Sequence, residues 1–67
     1  MGKLYDYAQR IEEHIQRHNL DVFTTRGAIG MKAGFIVSLI TPDDPDDPIK
    51  IEKLRAAAES VLGIRLD

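Results

Sequence analysis

Apolar residues recur along the first part of the chain with the spacing of a helix. Leu4, Ala8, Ile11 and Ile15 are separated by four, three and four positions, and Tyr7 widens the stripe beside Leu4 and Ile11. Lys3, Arg10, Glu13 and Arg17 fall on the other side. The pattern predicts an amphipathic helix over residues 3–18. Asn19 follows, a residue that tolerates the left-handed conformation found at helix C-termini.

The period then changes. Leu20, Val22 and Thr24 alternate with Asp21, Phe23 and Thr25, which predicts a strand over 20–26. Gly-Phe-Ile-Val-Ser-Leu-Ile-Thr at 34–41 predicts a second strand. Two short strands this close in sequence pair naturally as an antiparallel hairpin. The stretch between them, with Gly27, Gly30 and Gly34, reads as the hairpin tip. Three prolines and four aspartates at 42–48 make a loop.

Asp47 followed by Pro48 is a helix start: an acceptor side chain at the N-cap, then a residue preset for the first turn. Ile51, Leu54, Ala58, Val61 and Leu62 form the stripe of a helix over 48–62. Ala56, Ala57 and Ala58 lower its backbone cost. Gly63 is its expected end, with Ile64 as the apolar contact beyond, and Ile64-Arg65-Leu66 leaves room for a short last strand. The fold class expected is therefore α+β: one small two-layer α-β-β-α domain over residues 1–67, a hairpin packed by two helices. With a last strand the element order resembles a ferredoxin-like split unit without its first strand, which says nothing about activity.

The second predicted strand is apolar on both faces. Phe35, Val37 and Leu39 line one; Ile36 and Ile40 flank Ser38 on the other. Helices covering one face leave the second open. Phe23, Ile29, Met31, Ile36 and Ile40 are thus the expected interaction surface, with Ile29 and Met31 placed where turns prefer polar residues. Its expected cover is a second copy of the chain or another protein. The competing reading folds the N-terminus or residues 64–66 over it.

Size supports self-association. A domain of 67 residues buries only ~60% of its unfolded surface, and such a core rarely supplies more than ~3–5 kcal/mol net. There is no cysteine, so disulfides, thiolate metal sites and cysteine nucleophiles are excluded. A homodimer is the simplest oligomer. The net charge is −2, with five basic and four acidic side chains in residues 1–33 and four basic and seven acidic in 34–67. No basic block marks a nucleic-acid footprint. No apolar run approaches the ~18–20 residues of a bilayer span. Met1–Asp6 has no signal-peptide core, and Asp6 stands where a myristoylation signal has Ser or Thr. A cytoplasmic protein is the expectation.

The chemistry-bearing groups are few. Arg26, Gly27, Gly30 and Lys32 could form an anion-binding loop, with backbone amides as a nest; an anion-, nucleotide- or nucleic-acid-binding regulatory domain is the alternative function. Gly27-Ala28-Ile29-Gly30 has the GxxG form of KH domains, but there the motif joins two helices and here its predicted flanks are strands. Lys32 precedes a strand rather than opening a helix as in a Walker motif. His14 and His18 have metal-ligand spacing without a third ligand, and Ile15 stands where a zincin has Glu. They read as positive groups suited to a helix C-terminus. The aspartates of 43–47 lack the central Gly and distant Glu of an EF-hand. No cofactor, no metal and no catalytic residue are assigned, and an enzyme is not expected.

Overall fold

The structure, a computed structural model, describes residues 2–37 and 45–66. Three helices follow one another: α1 (Lys3–Arg17), α2 (Val22–Ala33) and α3 (Pro48–Leu62). Among the described residues there is no strand, so the expected α+β hairpin domain is replaced by a three-helix arrangement. α3 packs on both α1 and α2, most extensively on α2.

α1 lies where the stripe placed it, with Leu4, Tyr7, Ile11 and Ile15 buried. It ends in a Schellman motif. The Leu20 amide donates to the Ile15 carbonyl at 2.9 Å and the Asn19 amide to the Gln16 carbonyl at 3.2 Å. Asn19 supplies the positive φ, 52°, that this closure requires. The helix start is held from outside: the Leu4 amide donates to the Pro45 carbonyl and the Lys3 amide to Asp46 Oδ1.

α2 overturns the central expectation. Residues 22–26 of the predicted strand and 27–33 of the predicted tip form one helix. Asp21 caps it, Oδ2 accepting from the Thr24 amide at 2.8 Å. Gly34 closes it at φ 81°, its amide donating to the Gly30 carbonyl at 2.8 Å. Val22, Ile29 and Ala33 pack into the core; with Arg26, which is half-buried, they are spaced four, three and four as in α1's stripe. Ile29, expected on the interaction surface, is fully buried here.

Beyond Gly34 the chain runs back past α2, and a Cβ at Gly30 would sit 3.2 Å from the Phe35 carbonyl oxygen. Phe35 and Val37 pack against the core and Ile36 points out, so the alternation holds over three residues without a strand. Residues 38–41 of the predicted second strand, Ile40 included, lie outside the described residues, as do Asp43 and Asp44.

α3 begins at the cap its sequence predicts: Asp47 Oδ1 accepts from the Ile49 and Lys50 amides. It ends at Gly63, φ 69°. Residues 64–66 form no strand; Leu66 is buried, and Arg10 Nη1 donates to its carbonyl at 2.5 Å. The core is Leu4, Tyr7, Ile11 and Ile15 of α1, Ile29 and Ala33 of α2, Leu54, Ala57 and Ala58 of α3, and Leu66. Among the described residues no helix is long and apolar enough to cross a membrane.

Candidate functional site

Because successive residues of a helix turn by about 100°, the burial of Val22, Ile29 and Ala33 fixes what faces away from the core. Phe23, Gly27 and Met31, four residues apart, run along the outward side. Phe23 is 85% exposed and Met31 87%. The two are about 12 Å apart along the axis, at 1.5 Å per residue. Gly27 lies midway, and a Cβ there would meet nothing within 4 Å. The outward line of α2 is thus two apolar projections on either side of bare backbone.

Beside this line runs a groove of about 370 Å³ between α2 and the returning segment. Arg26, Gly27, Gly30 and Met31 form one wall; Gly34, Phe35, Ile36 and Val37 form the other. Ile36 is 63% exposed on its rim. Single exposed apolar residues are ordinary, but a continuous apolar patch marks a place of contact. Met31 and Ile36, both singled out in the sequence, line the groove, and Phe23, also singled out, stands two turns before Met31 on the outward line of α2. Ile29 leaves the set. Ile49, 65% exposed in the first turn of α3, was not among the residues expected at the surface, because its position follows a cap and belongs to no stripe.

The residues expected to bind an anion are arranged differently from a loop nest. Gly27, Gly30 and Lys32 belong to α2, where interior amides are spent on carbonyls four residues back. Arg26 is engaged by Glu12 of α1: Nη2 lies 2.7 Å from Oε1, and Nε donates to Oε2 at 3.1 Å. That two-point grip ties α1 to α2 at the edge of the core.

His14 and His18 meet on α1, ring centroids 4.3 Å apart and planes tilted by 41°. The His14 pKa is lowered, first by burial, then by the charges of His18 and Arg17. Asp21 is held below the usual carboxylate range by the bonds it accepts from the Thr24 side chain and amide. Among the described residues no group of three His, Asp or Glu side chains is placed to hold a metal ion.

No family model matches the chain, no curated protein matches it in sequence, and no solved structure matches it.

Proposed function

We propose that this chain is a small self-associating interaction module that docks through the outward face of α2, and that the occupant of that face is α2 of a second copy. The observation that carries this reading is the self-complementary relief of the helix. Phe23 and Met31 stand equally far on either side of Gly27, so a two-fold axis through Gly27 lays each Phe23 beside the partner's Met31. Phe–Met contacts are favourable in their own right, by about 0.3–1.5 kcal/mol. The bare backbone at Gly27 lets two helices approach closely at the crossing. Residues spaced by four form ridges that interdigitate at about −50°, the commonest packing class. The antiparallel arrangement also keeps the two Lys32 side chains at opposite ends of the interface.

The area supports a modest dimer. Phe23, Met31 and Ile36 present roughly 500 Å² of apolar side chain, and the glycine backbone and groove rim extend it toward the ~800 Å² per partner of a standard interface. A 67-residue core without disulfides gains stability from being covered in this way.

Molar mass by light scattering after size exclusion, from ~10 to ~500 µM chain, tests the reading against a standard-size interface. A mass that doubles over this range, and stays single in Phe23→Asp and Met31→Asp variants of unchanged helicity, supports it. A single mass at every concentration overturns it. Gly27→Cys adds a geometric check, since the chain has no other cysteine. A two-fold through this position brings the two thiols within disulfide reach, about 4.4–6.8 Å between Cα atoms. Oxidation then gives a covalent dimer far faster than for a Ser60→Cys control on α3.

A further inference from the structure

The last turn of α1 carries a feature that self-association does not use. His14 and His18 lie one turn apart, their ring centroids 4.3 Å from each other. Two imidazole nitrogens bound to one ion at about 2.1 Å, at roughly a right angle, put their ring centroids about 4.6 Å apart. A tetrahedral angle separates them to roughly 5.3 Å. The observed spacing matches adjacent positions of a square-planar or octahedral ion, the geometry that copper(II) and nickel(II) adopt with nitrogen and oxygen ligands.

We propose that His14 and His18 form a two-imidazole binding site for a divalent d-block cation that takes ligands at right angles, copper(II) or nickel(II), with water completing its coordination. The ring centroids start within a few tenths of an ångström of that separation, so turning the rings to aim one nitrogen of each at a shared ion needs no movement of the helix. The site sits at the C-terminus of α1, where the carbonyl ends of the helix favour a cation. Arg17 opposes it with a like charge. His18 is exposed and gives the ion a path in. With both rings bound, the ion clamps the last turn of α1 to its capping residue.

Copper(II) added to the ¹⁵N-labelled full chain tests this through the paramagnetic broadening of nearby amides. Nickel(II) calorimetry gives stoichiometry and affinity. The expected result is one ion per chain, broadening centred on residues 14–20, and an affinity at least tenfold weaker in His18→Ala and in His14→Gln. Nickel(II) raises the melting temperature of the parent chain and leaves that of His18→Ala unmoved. Broadening centred on Asp46 and Asp47, or nickel affinity unchanged in both histidine variants, overturns the proposal.

Discussion

Arg26 and Glu12 join α2 to α1 through two parallel bonds, Nη2 to Oε1 at 2.7 Å and Nε to Oε2 at 3.1 Å. Arg26 falls in register with the inward stripe of Val22, Ile29 and Ala33 but is only half-buried, with its head engaged by Glu12. Both side chains keep partial contact with water, which screens the pair. A double-mutant cycle with Arg26→Ala and Glu12→Ala should give a coupling of about 0.5–1 kcal/mol at low salt, falling at 1 M salt. A coupling indistinguishable from zero in denaturant unfolding would mean that the grip holds nothing together.

Gly27 and Gly30 share one helix and should answer alanine differently. Alanine is better than glycine in a helix interior by about 1 kcal/mol. At Gly27 the added Cβ meets open space within the chain, so Gly27→Ala should raise the stability of the dissociated chain, measured at low concentration, by about that amount. At Gly30 it would sit 3.2 Å from the Phe35 carbonyl oxygen, so part or all of the gain is lost. Chemical denaturation of the two variants should rank Gly27→Ala clearly above Gly30→Ala. Gly27→Leu carries the argument to function: it should leave the monomer folded and weaken the dimer, because the bulk lies where two helices cross.

The ends of α1 and α3 were legible because single residues set them. Asp47 and Pro48 start α3, Gly63 stops it, and Asn19 takes the positive φ after α1. α2 was illegible for physical reasons. Its outward face carries Phe23 and Met31, which erases the contrast between an apolar and a polar side that marks an amphipathic helix. Gly27 and Gly30 argue against a helix on propensity, and tertiary packing on α3 outweighs them. The alternation over 20–25 then imitates a strand. Two signals pointed the other way: Asp21 three residues before Thr24, and the 22, 26, 29, 33 spacing, hidden because Arg26 is charged. The exposed apolar character of Phe23, Met31 and Ile36 could be read without the correct fold, since their neighbours left them uncovered in either arrangement. Ile29 could not, because its side of α2 depends on the helical period.

Asp47 accepts from the Ile49 and Lys50 amides, at 2.9 and 3.4 Å. Asp47→Ala should cost about 1 kcal/mol. In a domain of this size that lowers the melting temperature by roughly 4–8 °C. Asp47→Ser should recover most of the loss in a thermal melt, since a hydroxyl also accepts; an Ala variant that melts with the parent would show that the cap contributes nothing.

Acid should weaken the fold in two separable steps. His14 titrates below 6.5 in the folded chain because of its burial, His18 and Arg17. The folded state therefore binds fewer protons than the unfolded one in that window. The contribution is whole above 6.5 and is lost as pH falls through 6.5 toward the lowered folded value. Asp21, lowered from 3.8 by its bonds to Thr24, adds a second loss as pH falls through and below 3.8. Urea midpoints measured against pH should fall in both regions. His14→Gln should flatten the upper step alone, and Asp21→Asn the lower one.

Gly2 sits at the N-cap of α1, the position where serine ordinarily stabilises a helix. Here serine should do the reverse. Gly2 is buried, and a Cβ on it would collide with the Cβ of Pro45 and crowd that residue's backbone. Its φ of −74° and ψ of 139° suit any residue, so the conflict is steric and not conformational. Of the two amides a serine here would reach, those of Leu4 and Tyr5, the first already donates to the Pro45 carbonyl at 2.9 Å, and the neighbouring Lys3 amide donates to Asp46 Oδ1 at 3.0 Å. Any side chain at position 2 pushes away the turn that makes those bonds and leads into α3. Gly2→Ser should therefore destabilise by about 1–3 kcal/mol, the range for overpacking a filled site. Pairing it with Pro45→Gly, which removes the colliding Cβ, should restore part of the loss. If Gly2→Ser alone unfolds at a higher denaturant concentration than the parent, the start of α1 is not packed against the turn before α3.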